Sequence, residues 1–278
     1  YVICINLSSV FYSFEQPFFS ILLEGYICVM TSFVPYQKQA QKQAQKQDQK
    51  QDKQQDLRLA LFDFDGTLCD SAEQIASAIK KAGRDVGLLD INDEQARQSI
   101  GQGLYHLALS ITHNDSDKAN EFFDAYRHNF RTEMNSGNIY ISPLFEGVKK
   151  CLTSLVAAGW LTGIVTNKGR NGLNHLLLAH EIDELFDITY TVDEKQPKPS
   201  PEMAIDAMKA CGVEIKNTVL IGDTIYDAQC AANAGISFVG VSWGYNSSDI
   251  LSQNGARIIV NDFAQLQTSL DDIIPQIG

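Results

Sequence analysis

The chain has 278 residues and a formal net charge of −12, and at roughly 100–200 residues per domain that length admits one large or two modest domains. All of the net charge lies after residue 56: residues 1–36 carry only Glu15 and Glu24, residues 37–56 carry five lysines and three aspartates, and the remainder carries 17 basic and 29 acidic residues. An acidic globular part has no electrostatic means of holding a phosphate backbone, which excludes a general nucleic-acid binder, and an anionic substrate would need local positive charge. The six cysteines (Cys4, Cys28, Cys69, Cys151, Cys211, Cys230) form no C-x-x-C pair, so neither a zinc site nor a small disulfide framework is signalled. Scattered thiols in a chain of this size suggest a reducing compartment, which points to the cytoplasm.

The apolar runs of the first 36 residues are cut by Glu15 and Glu24, and no Lys or Arg precedes Lys38. They are too short for the ~20 apolar residues of a spanning helix and lack the basic start of a signal peptide. The preferred expectation is that residues 1–29 are upstream sequence, with translation starting near Met30; a membrane anchor is the alternative. Residues 37–56 include ten glutamines and no aliphatic side chain larger than alanine. Such a tract cannot bury enough surface to offset its ordering entropy. Residues 1–56 are therefore expected to be a leader without chemistry, low in complexity and disordered, with order starting at Leu57.

From Leu57 short apolar runs alternate with helical periodicity, the pattern of parallel strands joined by crossover helices. Strand-length runs are LRLALF (57–62), WLTGIVT (160–166), TVLIGD (218–223) and SFVGVSW (237–243), with RIIV (257–260) a short addition. Between them Val148, Cys151, Leu152, Leu155 and Val156 share one helical face, as do Ala204, Ile205, Met208 and Cys211, and Gly159, Gly212 and Gly235 fall where helices should end. The fold class expected is α/β, a Rossmann-like parallel sheet. Residues 71–135 break the alternation: they hold helical patterns and no convincing strand. Ala119, Phe122, Phe123, Tyr126, Phe130 and Met134 recur at spacings of three and four, an apolar stripe that reads as a buried helix rather than a cofactor site. An all-helical cap at 71–135 is thus expected to interrupt a core of 57–70 and 136–278. His106, His113 and His128 have no metal-type spacing and read as ordinary histidines.

In an open α/β sheet, ligands bind beyond the carboxyl ends of the strands. Polar clusters stand there: Asp63-Phe64-Asp65-Gly66-Thr67-Leu68, Thr166-Asn167-Lys168, Lys198-Pro199-Ser200-Pro201-Glu202 and Gly222-Asp223-Thr224-Ile225-Tyr226-Asp227. Each alone is weak, since a D-x-D can be a turn or a helix cap. A calcium loop is excluded because Gly66 arrives two places too early and no Glu stands at the twelfth position. Together the clusters can hold a hard cation between the carboxylates of the first and fourth, and an anion beside it at Thr166 and Lys198.

On these residues the sequence resembles the haloacid dehalogenase superfamily of phosphotransferases. DFDGTL, the helical insertion, IVTNK, KPSPE, GDTIYD, AANAGI and SWGY follow in family order from about Leu57 to Leu266. The subgroup it most resembles carries its helical cap just after the first strand and includes the phosphoglycolate phosphatases. The resemblance implies a nucleophile at Asp63, forming an aspartyl-phosphate, and a general acid and base at Asp65. It implies Mg2+ held by Asp63, the main-chain carbonyl of Asp65 and Asp223, with Asp227 either a ligand or a support. Thr166, Asn167 and Lys198 would take the phosphoryl oxygens, and the cap loop Ser99–Leu104, with Gly101, Gln102 and Gly103, would set specificity.

The activity implied is Mg2+-dependent hydrolysis of a small phosphomonoester, 2-phosphoglycolate leading. An acid at Asp65 argues against dehalogenation, because a halide leaves without a proton. The alternatives are a sugar phosphomutase resembling β-phosphoglucomutase, a pyrophosphatase or nucleotidase of the same build, and, from a different class, a non-catalytic phosphate-binding protein. The expected partner is a small phosphorylated metabolite, with no nucleic acid and no membrane, acting on a monomer or homodimer.

Overall fold

A computed structural model describes residues 3–6, 20–23, 26–29, 57–88, 91–92, 95–96, 104–136 and 140–275. The chain divides into two units, 1–53 and 54–278.

In the first unit three short strands, β1 (Ile3–Asn6), β2 (Ser20–Leu23) and β3 (Tyr26–Val29), form an antiparallel sheet in the order β1-β3-β2. These strands lie within residues 1–56, which were expected to be a leader without order. Ile, Val, Leu and Tyr favour a pleated backbone, and pairs such as Ile5↔Ile27 and Leu22↔Ile27 flank the central strand. The glutamine-rich tract 37–56 lies outside the described residues.

The second unit is a six-stranded, all-parallel sheet. Its strands are β4 (Arg58–Phe62), β5 (Trp160–Thr166), β6 (Ile188–Thr191), β7 (Thr218–Gly222), β8 (Ser237–Val241) and β9 (Ile258–Val260), in the order β6-β5-β4-β7-β8-β9. Purely parallel sheets are covered on both faces and their strands are apolar throughout. The period of two shows this on β4: Leu59 and Leu61 belong to one core, Ala60 and Phe62 to the other. The expected strands each lie within a residue or two of their positions. Ile188–Thr191 is an additional strand, at the sheet edge beside β5, and its four residues, half of them threonine, are too short and too polar to stand out in the sequence.

In chain order the helices are α1 (Ala72–Asp85), α2 (Leu104–Ile111), α3 (Ser116–Ser136), α4 (Val148–Ala157), α5 (Arg170–Ala179), α6 (Glu202–Cys211), α7 (Ile225–Ala234), α8 (Ser248–Gln253) and α9 (Phe263–Ile273). On α4 the buried face is Val148, Cys151, Leu152 and Leu155, while Val156, expected with them, is exposed. α4, α5 and α9 cover one face of the sheet, and α6, α7 and α8 the other. Gly212 and Gly235 end α6 and α7 in the left-handed conformation.

α1, α2 and α3 pack on one another through a third apolar cluster, with Ile79, Ala82, Leu107, Ala108, Ala119 and Phe122 buried. Of the expected stripe on α3, Ala119 and Phe122 are fully buried and Phe123, Tyr126 and Phe130 partly so. Two adjacent connections join these helices to the sheet: Asp70 N donates to Pro143 O at 2.8 Å and Phe145 N to Leu68 O at 3.0 Å. Leaving β4, the chain builds β5 and β6 on one side, then crosses to β7 on the other. The crevice at the carboxyl end of β4, between β5 and β7, is therefore the topological switch point where such folds bind ligands.

Candidate active site

The polar residues at that crevice follow directly from where the strands stop. Asp63 comes straight after β4, and its N–H still donates to Ile221 O of β7 at 2.9 Å. Asp223 comes straight after β7, and Thr166 ends β5. Between Asp63 and Asp65 the chain turns, and Gly66 has a φ of +84°, a conformation costly for a residue with a Cβ. A Cβ there would also lie 2.4 Å from Asp223 Oδ2 and 2.5 Å from the Tyr245 ring.

Three carboxylates meet beneath this turn. Asp63, Asp223 and Asp227 are all buried and bring ligand atoms within 4.8 Å of one another. Each has a distinct set of partners. Asp223 Oδ1 accepts from Thr67 Oγ1 at 2.7 Å and Oδ2 from Tyr245 N at 2.8 Å. Asp227 Oδ2 accepts from Thr224 N at 2.9 Å and Thr224 Oγ1 at 2.6 Å, completing a capping box at the start of α7. Lys198 Nζ donates to Asp227 Oδ1 at 2.5 Å and stands 2.8 Å from Asp63 Oδ1. That second approach is an ion-pair contact, and Asp63 Oδ1 receives no aligned hydrogen bond although it is buried.

The charges are out of balance as they stand. Burial, with the Asp227 charge added and Lys198 opposing, raises the Asp63 carboxyl from 3.8 to about 6. Burial, then Asp227 and Asp63, holds the Asp223 carboxyl well above the usual carboxylate range. Lys198 is 1% exposed. Burial would lower its pKa, but Asp227 and Asp63 outweigh that and raise it. Three buried carboxylates around one ammonium leave negative charge uncompensated, and burying such charge is costly. Three buried carboxylates with only one ammonium among them, an all-oxygen donor set, fit a hard divalent cation such as Mg2+. Asp227 Oδ1 already carries the Lys198 ammonium, whereas both Asp223 oxygens meet only neutral donors, so Asp227 suits support of the cluster better than direct ligation.

A family model described as haloacid dehalogenase-like hydrolase matches residues 60–241. The chain belongs to the haloacid dehalogenase-like hydrolases. It is 32% identical over 218 residues to a phosphoglycolate phosphatase from Colwellia psychrerythraea, covering 76% of this chain and 95% of that one. It is 30% identical over 193 residues to the pyrophosphatase PpaX of Bacillus velezensis, covering 69% and 86%. A solved haloacid dehalogenase-like hydrolase from Bacteroides fragilis, 29% identical, superimposes with a TM-score of 0.70 over 76% of this chain and 99% of its own. The chain is thus an enzyme, with relatives named as phosphatases.

In this hydrolase the remaining expected residues fall on two sides of Asp63. Asn167 Oδ1 accepts from Lys198 N at 2.8 Å and its Nδ2 donates to Lys198 O at 3.2 Å, so this side chain fixes the lysine's main chain. Thr166 is buried, and its Oγ1 accepts from Lys168 N at 3.2 Å. The Asp65 carboxylate stands outside the three-carboxylate cluster. It accepts from Lys168 Nζ at 3.0 and 3.1 Å and from Ser71 Oγ at 2.7 Å. Ser71 Oγ is in turn 3.3 Å from the Tyr245 hydroxyl. Gly101, Gln102 and Gly103 lie outside the described residues.

Lys168 and Thr67 lie within the polar clusters quoted from the sequence and Tyr245 within SWGY, but none of them, nor Ser71, was given a role there. Membership of a cluster is the signal that could have assigned Lys168 and Thr67. Tyr245 is brought in by tertiary folding. Burial of Lys168 lowers its pKa, but the Asp65 charge more than offsets that and holds it above the usual lysine range. The neighbouring Cys69 thiol is pushed up to about 12 by burial, so it is inert as a nucleophile.

Proposed function

We propose that this hydrolase is a Mg2+-dependent phosphatase that cleaves a small phosphomonoester through an aspartyl-phosphate on Asp63, with 2-phosphoglycolate the leading substrate. The observation that carries the reading is the buried set of Asp63, Asp223, Asp227 and Lys198, whose excess negative charge calls for a cation. Asp63, the Asp65 carbonyl and Asp223 would hold Mg2+, with Asp227 fixing Lys198. Bound there, the ion would supply positive charge to the phosphoryl group.

The rest is the work of the chain's own groups. An Asp63 oxygen attacks phosphorus, forming an acyl phosphate as the bond to the substrate alcohol breaks. Asp65 gives that alcohol its proton, then takes a proton from the water that cleaves the acyl phosphate, returning Asp63 and releasing phosphate. Lys198 and the Thr166 hydroxyl would hold phosphoryl oxygens, while Asn167 acts through the Lys198 backbone. Uncatalysed phosphate monoester hydrolysis is among the slowest reactions known, so these effects must act together.

The substrate assignment draws on relatives named as phosphoglycolate phosphatases. The relative named as a pyrophosphatase favours inorganic pyrophosphate as the second reading. The cytoplasm, a metabolite partner and a monomeric or dimeric state belong to the same proposal. Phosphate release from 2-phosphoglycolate, pyrophosphate, a nucleoside monophosphate and a hexose 1-phosphate, with and without Mg2+, tests it. Wild type should favour 2-phosphoglycolate and need Mg2+, and Asp63→Asn should lose activity about 10³-fold or more at unchanged Tm. An Asp63→Asn activity within about tenfold of wild type would overturn the mechanism, and hexose phosphate isomerisation without phosphate release would mark a mutase.

A further inference from the structure

Asp65 is held from three separate stretches of chain. It sits in the turn after β4, Ser71 stands at the entry to the cap helices, and Lys168 follows β5, over a hundred residues away. Lys168 engages both carboxylate oxygens, at 3.0 and 3.1 Å, and both side chains are largely buried, 11% and 15% exposed. Surface ion pairs contribute little, but one shielded from water and made at both oxygens fixes the orientation of a carboxylate.

The lysine stem is itself confined. The space over the α-carbon of Gly172, in the first turn of α5, is shared by Lys168 Cε and the ring of Phe130 from α3: a Cβ built there would lie 3.2 Å from the first and 2.9 Å from the second. Any larger residue at 172 would displace one or the other. α3 is also tied to the sheet unit nearby, with Arg127 Nη2 3.5 Å from Asp193 Oδ1, while Asp193 Oδ2 accepts from Arg170 N at 2.7 Å. The ammonium that clamps Asp65 therefore lies where the cap helix meets the core.

We propose that Lys168 is a positioning residue for Asp65, holding its carboxylate in the orientation needed for proton transfer to the leaving alcohol, with its own stem braced by the cap helix at Phe130. The inference rests on the phosphatase reading above and deepens it. Proton transfer needs a heavy-atom separation of about 2.6–3.2 Å, and a misplacement of about 1 Å can cost on the order of 10²-fold.

A residue that positions a proton donor matters in proportion to how badly the leaving group needs a proton. Lys168→Met should lower kcat/KM about 100-fold for an alkyl phosphate such as 2-phosphoglycolate or glycerol 2-phosphate. For p-nitrophenyl phosphate, whose phenolate leaves unprotonated, the loss should stay below about threefold, because kcat/KM reports the phosphoryl transfer to Asp63 and not the later hydrolysis. Lys168→Arg should restore the alkyl substrate to within about tenfold of wild type, and Lys168→Gln, read by the same alkyl-to-aryl ratio, covers the case where the methionine variant does not fold. Equal losses on both substrates, or no loss on either, would overturn the proposal. A wild-type enzyme that hydrolyses neither ester would instead sink the phosphatase reading, and this inference with it.

Discussion

At the scale of single residues, the site is a problem in charge that protonation or a bound cation relieves. Asp63 and Asp223 both have carboxyl pKa values raised by burial and by their neighbours, Asp63 to about 6. A carboxyl whose folded pKa is raised adds stability that is fully present below its unfolded pKa and is lost as pH rises through its folded pKa. In the metal-free protein the Asp63 contribution should therefore be present below about pH 4 and lost by pH 6 to 7. A cation binds the ionised form, so Mg2+ should restore more stability at pH 7.5 than at pH 5. At a hundred times its dissociation constant it should contribute about 2.7 kcal/mol, roughly 5–10 °C in Tm for a domain of this size. Thermal melts with and without Mg2+ at the two pH values check this; a gain equal or larger at pH 5 would contradict it. At the same scale the sequence was legible wherever a residue stood next to a strand end, as Asp63, Thr166 and Asp223 do. It was not legible for the amide of Asn167, which holds a peptide 31 residues away.

At the scale of elements, the loop after β8 decides how the site is closed. Trp243 Nε1 donates to Thr67 O at 3.0 Å, with its ring packed on Phe263 at a centroid distance of 4.8 Å, and this seats Gly244 and Tyr245 against Asp223. A Cβ at Gly244 would stand 2.1 Å from Asp223 Cβ, closer than any non-bonded carbon pair can be. Gly244→Ala must therefore push this loop away and take the Tyr245 N–H from Asp223. Partners of this kind typically contribute 10–100-fold to metal affinity. The Mg2+ concentration for half-maximal activity should rise at least about tenfold, and an unchanged value would mean that the loop does not position Asp223. SWGY was legible as a family segment, but its contact with Asp223 was not, because Tyr245 and Asp223 are 22 residues apart in sequence and meet only through the parallel pairing of β7 and β8. β6 was missed for a related reason. An edge strand of four residues, three of them half-buried, depends on its partner β5, and its composition carries little of the signal.

At the scale of the whole molecule, the cap enters between β4 and β5, and Asp63 sits at the point of entry. The paired connections at Leu68–Asp70 and Pro143–Phe145 place the three helices over the same crevice that the strand order opens. Everything the proposed chemistry uses lies within 54–278, a unit separate from 1–53. Removing residues 1–56 should leave kcat/KM within about threefold of the full chain, since no group of the site is lost. Loss of soluble protein or a collapse of turnover on truncation would show that the amino-terminal strands support the enzyme. Among the described residues no helix is long and apolar enough to cross a membrane.

What the sequence determined by itself was what local chemistry can encode. Apolar runs alternating with helical faces specify parallel strands and their covering helices, because burial on both faces leaves a pattern in each segment separately. Polar clusters at the ends of those runs mark the catalytic edge for the same reason. Tertiary structure alone decided which clusters share a charge. The strand order places Asp63 between Thr166 and Asp223, and Lys198 reaches Asp227 across 29 residues. Only folding brought Lys168 onto Asp65 and the α3 ring of Phe130 beside that lysine. Those pairings rest on Coulombic and steric contacts made at separations of up to 160 residues, and no periodicity in the chain records them.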